Sequence, residues 1–222
     1  MTTLKVDVWS DVACPWCYIG KRRFESALER MAERDGSAPE VTIEYHSFEL
    51  SPDTPVDFEG TATEFLADHK GIPLATAQQM QDQVTALAAA EGLTYRMDDV
   101  RHTKTLKAHE LLHVAKAFGK QSEMKERLLR AYFTEGRHVG RVDDLADLAA
   151  DIGLEREAVR TALETGAYAE AVADDIARAR AFGINGVPFF VLDGRYGVSG
   201  AQDPAVFVQV LDQVLAEQGA DV

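Results

Sequence analysis

Basic residues are in short supply: Lys and Arg total 23 against 37 Asp and Glu, a formal net charge of −14. Binding DNA or RNA relies on clustered Lys and Arg, so this deficit argues against a nucleic-acid partner. Long apolar runs are missing too. No stretch approaches the roughly 18 apolar residues of a membrane span, and the opening segment MTTLKVDVWSDV has no apolar core of signal-peptide length. The expectation is a cytoplasmic protein. No low-complexity tract or exact repeat interrupts the chain, and the glycines between Gly194 and Gly200 do not form the Gly-x-Gly-x-x-Gly turn of a dinucleotide site. Cysteine is nearly absent, at two residues in 222. In a reducing compartment such a pair is more often catalytic or metal-binding than a structural staple.

Those two cysteines stand together, as Cys14-Pro15-Trp16-Cys17. Before them, Leu4 to Trp9 alternates apolar and polar residues, the period of a half-buried strand. After them the period becomes helical: Gly20, Phe24, Ala27, Leu28 and Met31 share a face, and Asp35-Gly36 ends the run. The pair therefore sits at a strand-to-helix turn, with Pro15 at the first helical position. Cys14 then faces the free N–H groups and positive end of the helix, which favour its thiolate, and Cys17 lies one turn further in. A lowered thiol pKa makes the outer cysteine a nucleophile at neutral pH and a good leaving group, and the inner one a natural resolving thiol. Two incidental core cysteines would show neither the spacing nor the placement.

Val41 to Tyr45 alternates again, completing a βαβ unit. From residue 61, where Thr61-Ala62-Thr63-Glu64 fits a capping box, helical stretches follow that end at Gly71, Gly92, Gly119, Gly136, Gly153, Gly166 and Gly183. Positions such as Leu145, Leu148, Ala149 and Ile152 give this block a small core of its own. Pro188 to Leu192 and Arg195 to Val198 read as strands around an Asp193-Gly194 turn, and Asp203-Pro204 opens a last amphipathic helix.

The order βαβ, helical block, ββα, with Cys-Pro-Trp-Cys opening the first helix, resembles the thioredoxin-like α/β fold carrying a helical insertion, as in DsbA-family oxidoreductases. More specifically it resembles their cytoplasmic FrnE-like branch, related to kappa-class glutathione transferases and 2-hydroxychromene-2-carboxylate isomerases. The stretches that carry the likeness are DVWSDVACPWCYIGKRRFE from Asp7, FELSPDTP from Phe48, TLKAHELLHVA from Thr105, GINGVPFFV from Gly183 and VSGAQ from Val198. The resemblance implies a thioredoxin-like domain of residues 1–60 and 183–222 and an all-helical insertion domain of residues 61–182. On the residues alone, Pro188 is a trans turn proline at a strand start. The resemblance implies instead a cis proline facing the Cys pair, with Val187 offering backbone groups to an extended substrate.

The implied activity is that of a thiol–disulfide oxidoreductase or isomerase of protein disulfides, with Cys14 and Cys17 catalytic, Pro15 and Trp16 tuning the pair, and Val187 and Pro188 binding substrate. No bound cofactor is required. Electrons would come from or go to a thiol pool, glutathione or a thioredoxin-type system, and an apolar face on the insertion could support a homodimer. Secreted DsbA proteins often carry His at the position of Trp16, so the pair is expected to be less strongly oxidising than theirs. Three rivals stand beside this. The kappa-like relatives suggest a glutathione-dependent isomerase or transferase, although they use a Ser-type site. A substrate groove without redox chemistry would make a chaperone. His109-Glu110-Leu111-Leu112-His113 matches a zinc-binding His-Glu-x-x-His, alone or joined by Cys14 and Cys17. Against zinc, no third ligand follows at the metzincin spacing, and roughly ninety residues separate the two pairs; these histidines read better as packing residues. Arg101, Lys104 and Lys107 form a modest basic group suited to glutathione carboxylates or to plain solvation.

Overall fold

The computed structural model describes residues 3–220. Strand β1 (Leu4–Ser10) leads through a short turn into helix α1 (Pro15–Asp35), and β2 (Val41–Ser47) returns parallel to β1. A long block of helices follows: α2 (Ala62–Lys70), α3 (Leu74–Ala90), α4 (Leu106–Ala117), α5 (Gln121–Phe133), α6 (Val142–Ala150), α7 (Arg156–Thr165) and α8 (Ala169–Ala181). The chain then re-enters the sheet with β3 (Phe189–Leu192) and β4 (Tyr196–Ser199) and closes with α9 (Pro204–Ala220). The sheet order is β2-β1-β3-β4, with β3 antiparallel to both neighbours.

The elements form where the patterns place them. Thr61 and Glu64 make the capping box at the start of α2. Asp193 and Gly194 both adopt the left-handed conformation that the β3–β4 turn requires. Apolar burial divides between two main clusters. One packs the sheet against α1 and α9 through Val6, Phe24, Phe190, Phe207 and Leu211. The other, larger, fills the helical block, and it also takes in Val12, Tyr18 and Ile19 from the turn and first residues of α1. The sequence suggested only a small core there. The difference places the Cys-containing turn at the seam, with the sheet on one side and the helical block on the other.

A polar pin crosses the same seam. Asp175 of α8 accepts from the Ser47 N–H at 2.9 Å, lies 2.7 Å from His46 Nδ1 and 3.0 Å from His113 Nε2, and its carbonyl accepts from the Trp9 indole at 3.1 Å. Gln121 of α5 clamps the Tyr45 backbone of β2 at both N–H and C=O, 2.9 and 2.8 Å. No helix among the described residues is long and apolar enough to cross a membrane.

Candidate active site

β1 delivers the chain to Ser10, three residues make the turn, and Cys14 becomes the N-cap of α1 with Pro15 at the first helical position. The Cys17 N–H closes the first turn onto the Cys14 carbonyl at 3.0 Å. Both cysteines are free thiols, each only 3% exposed. Between them the Pro15 carbonyl accepts from the Tyr95 hydroxyl at 2.7 Å, while Trp16 is 41% exposed. With the Pro15 backbone pinned and Trp16 exposed, the bridge leaves a flat aromatic surface on the same turn as the sulfurs.

From the far end of the chain, the Val187-Pro188 peptide bond is cis, and the Val187 carbonyl lies 3.5 Å from Cys14 Sγ, placed to accept from the thiol. Pro188 is fixed from behind by Gly20, where an added Cβ would fall 2.8 Å from the proline ring, and its carbonyl takes the Gly200 N–H at 2.8 Å. The sequence alone favoured a trans proline; packing of the ring on Gly20 accompanies the cis form. Cys14, Val187 and Pro188, separated by more than 170 positions, thus meet at one spot, with Pro15, Trp16 and Cys17 on the adjoining turn.

The ionisation of the pair differs from the expectation at the helix start. The bond to the Cys17 sulfur, followed by burial, pushes the Cys14 thiol well up, although the Cys17 N–H works the other way. Burial opposes ionisation of Cys17 as well, but the Cys14 hydrogen bond, the Lys125 charge, the Ser10 hydroxyl and the Asp11 backbone together bring it down. The two neighbouring thiols titrate as one unit, so both shifts belong to the pair. At Cys14 the helix terminus is outweighed by the neighbouring sulfur and by burial.

Beneath the pair lies a set of polar groups the motif did not reveal. Asp11, 2% exposed, accepts from the Leu50 N–H at 2.8 Å and sits 3.3 Å from His109 Nε2. Burial raises its pKa, yet the bonds from His109, Leu50 and Thr105 hold it below the usual carboxylate range. Lys125 of α5 is wholly buried, 5.8 Å above the Tyr45 ring. Its one visible sequence signal is a Lys set in an apolar stripe with Gln121, Met124, Leu128 and Leu129. Asp11 gave no signal beyond its nearness to Cys14.

The His-Glu-x-x-His residues are spoken for separately. His109 faces Asp11, His113 faces Asp175 and Ser47, and Glu110 pairs with Lys107 at 3.0 Å. Among the described residues one group has convergent metal-type atoms, Asp7, Glu44 and His46, and it includes neither cysteine and neither of these histidines. There the Lys5 ammonium bridges Asp7 at 2.9 Å and Glu44 at 3.2 Å, supplying the positive charge an ion would bring. Nor do Arg101, Lys104 and Lys107 act together: Lys104 donates to the Pro52 carbonyl at 2.6 Å and Lys107 to that of Leu163 at 2.5 Å.

Residues 5–212 match the family model described as the DSBA-like thioredoxin domain. The chain belongs to that family. Its fold also superposes on a probable DsbA oxidoreductase from Streptomyces coelicolor, with a TM-score of 0.88 and 42% identity over 96% of this chain and 91% of that one. The uncharacterised protein YwbO of Bacillus subtilis is 28% identical over 212 residues, 94% of this chain and 96% of the relative. The cytosolic disulfide reductase DsbM from Pseudomonas aeruginosa, solved also with GSH, shares the fold with a TM-score of 0.64 at 19% identity, over 96% of this chain and 98% of its own and 99% in the GSH form. This is therefore a DsbA-like oxidoreductase with a thioredoxin-type fold.

Proposed function

We propose that the protein is a thiol–disulfide oxidoreductase of protein disulfides, working in the cytoplasm through Cys14 and Cys17. The observation that carries this reading is the meeting of a free N-cap thiol, Cys14, with the Val187 carbonyl at 3.5 Å beside Pro188. An extended peptide laid along Val187 would bond through its backbone, so its side chains would matter little. The Cys14 thiolate attacks one sulfur of the substrate disulfide; the S–S bond breaks, and the other sulfur leaves with the electron pair and takes a proton from solvent. Cys17 then loses its proton and attacks Cys14 Sγ, releasing the second substrate thiol and leaving the Cys14–Cys17 disulfide. The reverse sequence oxidises a dithiol, and shuffling without net transfer isomerises.

No bound cofactor enters these steps. The pair exchanges electrons with a thiol pool, and glutathione is the reductant we favour, on the strength of the glutathione found with DsbM. Pro15 and Trp16 set the strain and surroundings of the pair. Direction depends on its potential relative to the cytosolic poise.

The test is to equilibrate chelator-treated protein across glutathione redox buffers and count alkylated thiols by intact mass. Both thiols vanishing together at one midpoint supports the reading, with Cys14→Ser abolishing exchange and Cys17→Ser trapping mixed disulfides on Cys14. Thiols that never pair, or a Cys14→Ser protein with undiminished activity on unfolded chains, would sink it in favour of zinc binding or a chaperone.

A further inference from the structure

Helix α1 carries three consecutive basic residues, Lys21-Arg22-Arg23, and their side chains part company. Lys21 and Arg22 both reach Glu126 of α5 and bolt α1 to the helical block. Arg23 reaches the other way. Its Nε donates to Glu91 Oε1 at 2.6 Å and its Nη1 to the Ala201 carbonyl at 2.7 Å, and the two charged side chains are only 18% and 20% exposed.

Each end of this chain of bonds leads to one half of the active site. Ala201 follows Gly200, whose N–H holds the Pro188 carbonyl at 2.8 Å. An added Cβ on Gly20 would meet both Pro188 and Ala201, so the β4–α9 turn, the proline and α1 share one packed contact. Glu91 is the C-cap of α3, and four residues further on Tyr95 donates to the Pro15 carbonyl at 2.7 Å, between the cysteines. The segment from Glu91 to Tyr95 therefore touches the Cys turn directly, and reaches the proline turn through Arg23.

We propose that Arg23, oriented by Glu91, is a positioning residue for substrate: it fixes the Gly200-Ala201 turn and, through it, holds Pro188 and the Val187 carbonyl in register with Cys14. This rests on the substrate-binding role given to Val187 and Pro188 above. A guanidinium suits the task, because its planar fork presents N–H groups in fixed directions, here one to a carboxylate and one to a carbonyl. An ammonium is a single nitrogen on a flexible stem and cannot hold the same two acceptors in that geometry. Among the described residues Arg23 bonds to neither cysteine. Its loss therefore spares attack on a disulfide that needs only the thiol, and shows on a substrate that must lie along Val187.

Two substrates separate the seat from the thiol. Dithiobis(nitrobenzoate), a small aromatic disulfide, reports attack by Cys14 as the first coloured thiolate released on rapid mixing. Insulin, whose disulfides join polypeptide, is reduced in turnover driven by dithiothreitol. In Arg23→Met, kcat/KM for insulin should fall about ten-fold, the effect of losing a charge-assisted hydrogen bond. The loss should lie mainly in KM, because fewer molecules hold the seat formed, while the first release from the aromatic disulfide keeps its native rate. Arg23→Lys should behave like Arg23→Met, whereas Glu91→Gln, which leaves Arg23 an acceptor, should stay near native. Adding Glu91→Ala to Arg23→Met should slow insulin no further, since both act through one set of bonds. Equal loss on both substrates, or a native KM for insulin in Arg23→Met, would overturn the positioning role. If Arg23→Met does not fold, Arg23→Lys decides by the same comparison. Native protein that reacts with the aromatic disulfide but not with insulin would instead remove the proposed action on protein disulfides, and native protein that reacts with neither would remove the redox function itself.

Discussion

Asp175 Oδ1 lies 2.7 Å from His46 Nδ1, and His46 Nε2 lies 2.6 Å from Asp7 Oδ1, so one imidazole joins a helix of the inserted block to the edge-to-centre strand pair of the sheet. His46 also stacks on Trp9, centroids 4.6 Å apart. Burial would raise the Asp175 pKa, but bonds from His113, His46 and the Ser47 N–H hold it far below the carboxylate range. A group depressed in the folded state stabilises above its unfolded pKa, about 4, and that stability drains away as pH falls further. Asp175→Asn should cost about 3 kcal/mol at pH near 7, by removing one charge of a buried set. It should also flatten the loss of stability on acidification below about pH 4. Thermal melts across that range check both; an unchanged melting temperature in the variant would show the pin to be dispensable.

His102 predicts a second acid response, higher on the pH scale. Burial pushes its imidazole down to about 4. It packs on Phe65 with centroids 3.5 Å apart and lies 3.0 Å from the Tyr132 hydroxyl and 3.4 Å from Thr54 Oγ1. The unfolded chain takes up this proton near pH 6.5, whereas the folded one resists it. Its contribution is therefore complete above about 6.5 and shrinks toward 4, by up to about 3 kcal/mol. Urea unfolding at the two ends of that window should show the loss in native protein and a smaller one in His102→Gln. Equal slopes would assign the acid sensitivity elsewhere.

The fold was legible because its signals are local. Strand alternation at Leu4 to Trp9, the Thr61–Glu64 capping box and the Asp193-Gly194 turn each depend on a few adjacent residues, and each appears where the pattern put it. The cysteine pair was legible for the same reason. Asp11 and Lys125 were not, because they meet their neighbours only in the fold, His109 standing 98 positions from Asp11. His109 and His113 show the limit of a spacing pattern: their i, i+4 spacing puts them on one helix face, yet the face spans two different polar clusters, one around Asp11 and one around Asp175. Spacing along a helix fixes direction, not the partner that waits there.

Trp16 offers a direct handle on the potential. It is 41% exposed on the Cys turn and contributes no charge. Trp16→His would place a titratable cation beside the sulfurs, stabilising the thiolate of the reduced pair and making the pair more oxidising. One unit of thiol pKa corresponds to about 1.4 kcal/mol, or roughly 30 mV for the two-electron couple. The midpoint in glutathione buffers should rise by roughly that amount below pH 6 and by less at higher pH, where imidazole is neutral. A midpoint that stays put at both would mean the bridge residue does not tune the pair.

Gly20 ties helix α1 to the Val187-Pro188 turn. An added Cβ would lie 2.8 Å from Pro188 Cγ and 3.4 Å from the Ala201 Cβ. Gly20→Ala gains about 1 kcal/mol of helix propensity but must push the proline ring aside, a clash that costs about 1–3 kcal/mol in a packed interior. Net stability should therefore change little or fall slightly. Function should change more, because Pro188 moves together with the Val187 carbonyl that lies against Cys14. Displacements of about 1 Å at a reacting centre can cost a hundred-fold. Reduction of a protein disulfide should slow at least several-fold, whereas the small aromatic disulfide, which needs no backbone seat, should react with Cys14 at close to the native rate. Equal slowing of both would locate the effect at the thiol, and equal retention would remove Val187 and Pro188 from the substrate-binding surface.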